Sequence, residues 1–351
     1  MLIGRKIRVL VVDDSAIVRR MLTESIDKQT DMEVVAAAPD PFVAREKLLA
    51  LKPDVITLDI EMPRMDGLTF LTKVMHYQPV PVIVISSVSQ STSEVAVEAM
   101  RRGAVDVVPK PYGPYSVGDI GRILPDKIRA ACVARVRRAG EAQAQVTTPP
   151  RVSDTGFLPG SLIAIGASTG GTQAIEALLV QMPETCPPIV IAQHIPPVFS
   201  AAFASRLNTL CRIEVKEAKD GELIAPGRAL VAPGDFHMML KRADGVLRVV
   251  VRDGPRVHYQ RPAVDVLFRS VAEAKMPHVA GILLTGMGSD GAAGLLDLRK
   301  AGAFTIAQDE ASCVVFGMPK VAIEMGAAAE ILPLEKITTA ALAQLSSHAK
   351  A

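Results

Sequence analysis

The sequence predicts an α/β protein of two doubly wound units: a compact N-terminal unit of five strands and a larger C-terminal unit interrupted by a β-hairpin. Three observations predict it. Short Val/Ile/Ala runs, each closed by Gly, Pro or a polar residue, alternate with segments of helical apolar period, the rhythm of buried parallel strands. A chain of 351 residues has room for two cores at a rough ~150 residues per domain. A Gln-, Thr- and Pro-rich stretch over 141–160 carries no apolar period and reads as a linker.

Within 7–111 the strand candidates are 7–12, 33–37, 55–58, 82–85 and 105–108. The helix over 15–28 places Ile17, Met21, Leu22 and Ile26 on one face. Asp40-Pro41 supplies a cap and a first-turn proline for a helix over 42–51. Residues 119–138 read as a basic helix (Arg122, Lys127, Arg129, Arg135, Arg137, Arg138) with a solvated face. The expected division is a first domain over 5–122, a linker with that basic helix over 123–156, and a second domain over 157–348. Strands of the second domain are expected at 162–165, 189–192, 229–231, 281–284 and 305–307. The hairpin pairs 238–242 with 246–251 through Ala243-Asp244-Gly245, an Asp-Gly turn.

Composition excludes several functions. Lys+Arg number 39 against 37 Asp+Glu, too balanced for a nucleic-acid coat or a polybasic membrane binder. With no Trp and 4% aromatics, a base-stacking platform is also a poor reading. Cys132, Cys186, Cys211 and Cys313 form no CxxC pair, which argues for reduced thiols in the cytoplasm. No apolar stretch approaches the ~20 residues that span a bilayer, and 7–12 is too short for the core of an export signal, so no membrane insertion is expected.

Acidic residues close the strands of the first domain. Asp13-Asp14 follow the first strand, Asp59 the third and Lys110 the fifth, while Ser86 closes the fourth. The carboxyl ends of strands in a doubly wound sheet share one edge, so these side chains converge. Carboxylates crowded in a crevice repel unless a divalent cation lies among them, and oxygen-only ligands suit Mg²⁺. A lysine and a hydroxyl facing them match the needs of a transferred phosphoryl group. Taken singly, Asp13 or Asp14 is explained as a helix cap and Lys110 as a surface charge. Together with Met62-Pro63-Arg64-Met65-Asp66-Gly67 after Asp59, the set resembles a two-component receiver domain. That resemblance implies phosphorylation of Asp59, Mg²⁺ held by Asp13, Asp14 and Asp59, and phosphoryl contacts from Ser86 and Lys110. It implies a histidine kinase as phosphodonor. One departure stands out: Val107 occupies the place where many receivers carry an aromatic switch residue.

In the second domain, Gly166-Ala167-Ser168-Thr169-Gly170-Gly171 follows a strand and precedes a helix. Small flanking residues permit a sharp turn that presents a serine hydroxyl beside free backbone N–H groups. A glycine-rich turn of this kind also cradles phosphates, and the motif alone does not separate the two. The other strand ends favour a nucleophile: 189–192 runs into Gln193-His194, and 281–284 into a glycine-rich loop ending at Asp290. Ser168, His194 and Asp290 thus each lie beyond a different strand, the residue types of a triad in an order unlike that of α/β-hydrolases. His237 and Asp309 are rivals for the base and the acid; His258, His278 and His76 lie outside strand ends.

The motifs IAIGASTGG, AQHIP, APGDFHM, RPAVDVLF, LTGMGSDGAAG and AQDEASCVVFGMP resemble the catalytic domain of the chemotaxis protein-glutamate methylesterase (CheB) family over about 157–348. The resemblance implies Ser168 as nucleophile, His194 as base and Asp290 as its orienting acid, with Thr169 and the Met287 backbone lining the oxyanion site and Arg261-Pro262 the substrate rim. It implies hydrolysis of glutamate methyl esters on chemoreceptor helices, deamidation of receptor glutamines, and no cofactor for the hydrolytic step. The competing expectation is a response regulator whose output domain binds a nucleotide through 166–171 or binds DNA. The latter needs a helix-turn-helix with a basic recognition helix, which 157–351 does not present.

Overall fold

In the computed structural model the chain divides into two compact units, Met1–Val146 and Thr147–Ala351. The structure describes residues 5–87, 89–110, 117–136, 156–243 and 245–347.

The first unit runs β1 (Ile7–Val12), α1 (Ala16–Asp27), β2 (Met32–Ala38), α2 (Pro41–Leu51), β3 (Val55–Asp59), α3 (Gly67–Tyr77), β4 (Val82–Ser86), α4 (Gln90–Arg101), β5 (Asp106–Pro109) and α5 (Val117–Cys132). Its strands form one parallel sheet in the order β2-β1-β3-β4-β5. Every residue of β3 and β4 is buried, as continuous apolar strands require when helices cover both faces. The chain steps from β1 out to β2 and returns on the other side of β1 as β3. The carboxyl ends of β1 and β3 therefore flank the point where the winding reverses, where an open α/β sheet forms its crevice.

Local sequence explains the helix starts. The Asp40 carboxylate accepts from the Phe42 and Val43 N–H groups, and Pro41 occupies the first turn of α2. The buried stripe of α1 is Val18, Leu22 and Ile26, while Ile17 is exposed, against expectation. Ile17 lies one residue, about 100°, round the helix from that stripe.

The basic helix also differs from expectation. A domain limit at residue 122 would fall inside α5, whose Ile120, Leu124, Ile128 and Ala131 are buried. Lys127 reaches the Asp106 carboxylate of β5 at 2.7 Å, and Arg129 reaches Asp31, just ahead of β2, at 2.8 Å. Lys127 and Arg129 are thus ties within the first unit, while Arg122 and Arg135 are exposed. The expected linker core over 137–155 lies outside the described residues, as do Arg137 and Arg138.

The second unit runs β6 (Ser161–Ala167), α6 (Gly171–Leu179), β7 (Ile189–Gln193), α7 (Phe199–Leu210), β8 (Glu214–Glu217), β9 (Arg228–Val231), β10 (His237–Ala243), β11 (Val246–Arg252), α8 (Val264–Glu273), β12 (His278–Leu283), α9 (Ala292–Lys300), β13 (Phe304–Gln308), α10 (Met318–Glu324), β14 (Glu330–Leu332) and α11 (Leu334–Leu345). Seven strands form a parallel sheet in the order β14-β13-β12-β6-β7-β9-β8. β10 and β11 form the expected hairpin, with Gly245 at φ 79° in its turn; Asp244 lies outside the described residues. The winding reverses at β6, which has β7 on one side and β12 on the other, so the crevice opens beyond β6 and β12. Phe268 of α8 and Leu283 of β12 belong to the buried core under that edge.

Two strands went unread in the sequence, β8 and β14. Both close the sheet, both are short, and both carry charge (Glu214, Lys216 and Glu217; Glu330). Edge strands face water on one side and show no apolar run.

Candidate functional site

β6 ends at Ala167, so Ser168 is the first residue beyond the sheet. The turn that carries it is closed by the Gly171 N–H donating to the Ser168 carbonyl at 2.7 Å. Gly170 sits at φ 78°, and a Cβ there would lie 2.5 Å from Val314. A Cβ on Gly171 would lie 2.1 Å from the Gln193 side chain. Those two glycines let the turn pack under its own strand edge. Ala167 pairs with Gln193 across the sheet, and the His194 N–H donates to the Ala167 carbonyl at 3.1 Å. Ser168 and His194 thus leave neighbouring strands side by side. The buried Gln193 amide ties their turns together, donating to the Ser168 carbonyl at 2.9 Å and the His194 carbonyl at 3.2 Å.

Asp290 reaches the same edge from the loop after β12. Its Oδ2 lies 2.7 Å from His194 Nε2, and both side chains are buried. The same carboxylate accepts the Val264 N–H at 2.7 Å and the Asp265 N–H at 2.9 Å. These are first-turn amides of α8, whose N-cap residue Ala263 offers no side-chain bond. Asp290 therefore caps a helix from a distant loop. Burial acts to raise its pKa. The His194 bond and the two amides outweigh burial and hold the group below its ordinary value. With Nε2 on Asp290, His194 Nδ1 is left buried and without a hydrogen-bond partner.

The other sequence candidates fall in distinct places. Thr169 is buried, and its carbonyl accepts from the Thr285 hydroxyl at 3.0 Å. Met287 is half-exposed on the loop after β12; the preceding Gly286 packs against Ser168, where a Cβ would lie 2.6 Å from the serine Cβ. His237 is engaged on both ring nitrogens, with the Pro255 carbonyl and the Ala263 N–H. Asp309 accepts from the Ser312 N–H and hydroxyl. Neither rival meets Ser168 or His194 in a hydrogen bond. Arg261 reaches Asp235 and the Gly254 carbonyl. Two residues that sequence reasoning passed over stand beside the acid: Asp265 and His258, 3.1 Å apart. The available signal for Asp265 was a lone carboxylate inside the apolar run of RPAVDVLF. Nothing local marked His258.

The crevice of the first unit gathers the other expected set. Asp13, Asp14 and Asp59 offer carboxylate oxygens within 4.8 Å of one another. Lys110 lies 2.6 Å from Asp59 and 3.5 Å from Asp13. Burial pushes Asp59 up to about 6, against the pull of Lys110, and raises Asp13 as well. Burial opposes the Lys110 charge, but Asp59 and Asp13 outweigh it and raise its pKa. Asp13 Oδ2 is buried without a hydrogen-bond partner. Ser86 closes β4, its hydroxyl donating to the Ser87 carbonyl at 3.2 Å. Oxygen-only ligands, one of them with no hydrogen bond and only the Lys110 ammonium at 3.5 Å, fit a hard divalent cation such as Mg²⁺.

Comparison with known proteins accounts for both units. The CheB methylesterase family model matches residues 163–341, and the response regulator receiver domain model matches 9–118. Protein-glutamate methylesterase/protein-glutamine glutaminase 2 of Syntrophus aciditrophicus (strain SB) is 53% identical over 95% of this chain and 97% of its own length. The protein-glutamate methylesterase/protein-glutamine glutaminase of Yersinia pestis bv. Antiqua (strain Antiqua) is 50% identical over 97% of this chain and 98% of its own. The crystal structure of the Thermotoga maritima CheB methylesterase catalytic domain matches with a TM-score of 0.50 at 38% identity, covering 54% of this chain and 98% of that one. These matches leave the nucleotide- or DNA-binding output domain without support. The chain belongs to the CheB methylesterase family, with a response regulator receiver domain ahead of the esterase domain.

Proposed function

We propose that the second unit hydrolyses γ-methyl esters of glutamate side chains on the cytoplasmic helices of chemoreceptors, giving glutamate and methanol, and deamidates receptor glutamines by the same chemistry. The observation that carries this reading is the 2.7 Å bond from His194 to Asp290 at the strand end beside Ser168. Asp290 holds the proton on Nε2, so Nδ1 is the acceptor face of the ring. Ser168 Oγ attacks the ester carbonyl while Nδ1 takes its proton. Methoxide leaves with that proton as methanol, and water activated in the same way releases the acyl group from the serine. With a glutamine amide the leaving group is ammonia. Backbone N–H groups of the turn through Thr169 and of Met287 stabilise the developing oxyanion, at the uncapped N-terminus of α6.

The first unit regulates this reaction. A histidine kinase or a small phosphodonor phosphorylates Asp59, with Lys110 and Ser86 contacting the phosphoryl oxygens. Asp13, Asp14 and Asp59 would hold Mg²⁺, which supplies positive charge to the transferring phosphoryl group. The protein acts in the cytoplasm; no helix among the described residues is long and apolar enough to cross a membrane.

Methanol release from membranes carrying a methylated chemoreceptor, with and without acetyl phosphate, tests both halves. The expected result is release that rises with acetyl phosphate and vanishes in Ser168→Ala. Release that persists in Ser168→Ala would remove the nucleophile assignment, and release indifferent to acetyl phosphate would remove the regulatory one.

A further inference from the structure

Asp290 is not the only carboxylate at the start of α8. Asp265 is fully buried in the first turn of the same helix, and oxygens of the two groups, with a ring nitrogen of His258, lie within 4.8 Å of one another. Two buried carboxylates this close disfavour each other unless each is matched by donors. Asp290 is matched by His194 and two amides. On Asp265, Oδ1 accepts the Gly294 N–H of α9 at 2.7 Å, and Oδ2 accepts from His258 Nε2 at 3.1 Å with Arg269 at 3.6 Å.

The link to catalysis is covalent and short. The backbone N–H of Asp265 is itself one of the two amides that grip Asp290. Fixing the Asp265 side chain therefore fixes a donor to the acid that orients His194. His258 is placed for this by an unusual backbone: it and Tyr259 are consecutive non-glycine residues in the left-handed region, at φ 50° and 62°. Left-handed backbone costs a residue with a Cβ roughly 1–2 kcal/mol, so the surrounding contacts must over-determine the loop. Its flanks are pinned, with Arg256 and Arg261 both on Asp235 and Val257 bridged to Gln260.

We propose that His258 is a positioning residue for the triad acid, acting through Asp265, and that the left-handed loop delivers it there. The proposal rests on the triad reading above. The charged and titratable groups facing the pair are Arg269 on α8, which also meets Asp297 of α9, then Asp290 and His194 across the crevice, and His237 behind Ala263. Loss of the His258 donor leaves the Asp265 charge less offset and makes the surroundings of His194 more negative. Loss of the Asp265 charge does the opposite.

The test uses the full chain and methanol release from methylated-receptor membranes. His258→Leu is expected to lower kcat about 3- to 10-fold, the rate equivalent of one lost hydrogen bond, with KM within about twofold. His258→Gln, which keeps a donor at that reach, is expected to retain most of the rate. The acid limb of the kcat/KM profile is expected to move to higher pH in His258→Leu and to lower pH in Asp265→Asn. A merely structural role predicts no such opposed shifts in two variants that lose the same hydrogen bond. Limbs that stay together or move the same way, or a rate in His258→Leu equal to that of the unaltered chain, would overturn the proposal. His258→Gln behaving like His258→Leu would overturn it also where Asp265→Asn fails to fold. An unaltered chain with no activity would instead count against the esterase reading.

Discussion

The two units build their crevices in the same way and give them opposite electrostatics. Each is a parallel sheet whose winding reverses at its first strand, β1 or β6, and each lines the reversal with carboxylates from strand ends. In the first unit the carboxylates outnumber their partners: Asp59 is pushed up to about 6, and Asp13 Oδ2 has no hydrogen bond and shares Lys110, at 3.5 Å, with Asp59. In the second, every Asp290 oxygen is taken and its pKa is lowered. An under-satisfied crevice is one that gains by accepting a cation; a saturated one holds a single proton geometry fixed. A shared fold edge thus says where chemistry happens, and donor count says which kind.

The largest test of this contrast exchanges the losses. Ser168→Ala is expected to cut methanol release by at least ~10³-fold while leaving Asp59 phosphorylation intact, and Asp59→Asn to abolish phosphorylation while sparing basal hydrolysis. Mass spectrometry after acetyl phosphate treatment, beside methanol release, reads both. Loss of both activities in either variant would break the separation of the two sites.

Asp290→Asn comes next. It is expected to lower kcat by roughly 10²–10⁴-fold, because a neutral amide no longer dictates the imidazole tautomer. Because Asp290 also caps α8, thermal melts should register a loss of about 1 kcal/mol. A rate loss with an unchanged melting temperature would detach the capping role of Asp290 from its proposed catalytic one.

The raised Asp59 gives a pH signature. Its folded value, about 6, lies above the ordinary 3.8, so the native state binds the proton more tightly than the unfolded one. The sign is therefore a loss of stability as pH rises from about 4 to 6, recovered when Mg²⁺ compensates the charge. Mg²⁺ affinity, followed by calorimetry, is expected to fall by about tenfold per pH unit below 6, with proton release on binding. Affinity that stays flat from pH 7 to 5 would show that the crevice is not under-satisfied. Asp290, whose value is lowered, offers no such response across that range.

Gly170→Ala asks how tightly the saturated crevice is packed. A Cβ at φ 78° and 2.5 Å from Val314 is expected to cost about 1–3 kcal/mol in urea unfolding. The smallest effect belongs to the periphery of the first unit. Arg129→Ala should cost under about 1 kcal/mol, because its partner Asp31 is about half-exposed to solvent.

Much of this was legible without coordinates, for identifiable reasons. Interior strands such as β1 and β7 are apolar runs, and the ends of such strands pointed to Asp13, Asp59, Ser168 and His194 as candidates that the fold gathers at its two sheet edges. The edge strands β8 and β14 were illegible because charge on the open side erases the apolar run. Lys127 and Arg129 of α5 were misjudged because positive charge resembles a solvated face until Asp106 and Asp31 are seen opposite it. His258 and Gln193 were invisible as supports. Their roles depend on partners 7 and 25 residues away, a pairing that the fold makes and the local sequence does not.

The central place of β12 in the second sheet bears on how the enzyme comes into being. Ser168 and His194 sit on adjoining strands close in sequence, whereas Asp290 is 96 residues beyond His194 and arrives only when β12 inserts beside β6. Contacts at such separation form late, after the loop-closure cost of the intervening chain has been met. A growing polypeptide thus holds a serine and a histidine in place before it holds a competent hydrolase. Recovery of activity during refolding should lag the burial of β6 and β7, and report the moment when the sheet closes around its own centre.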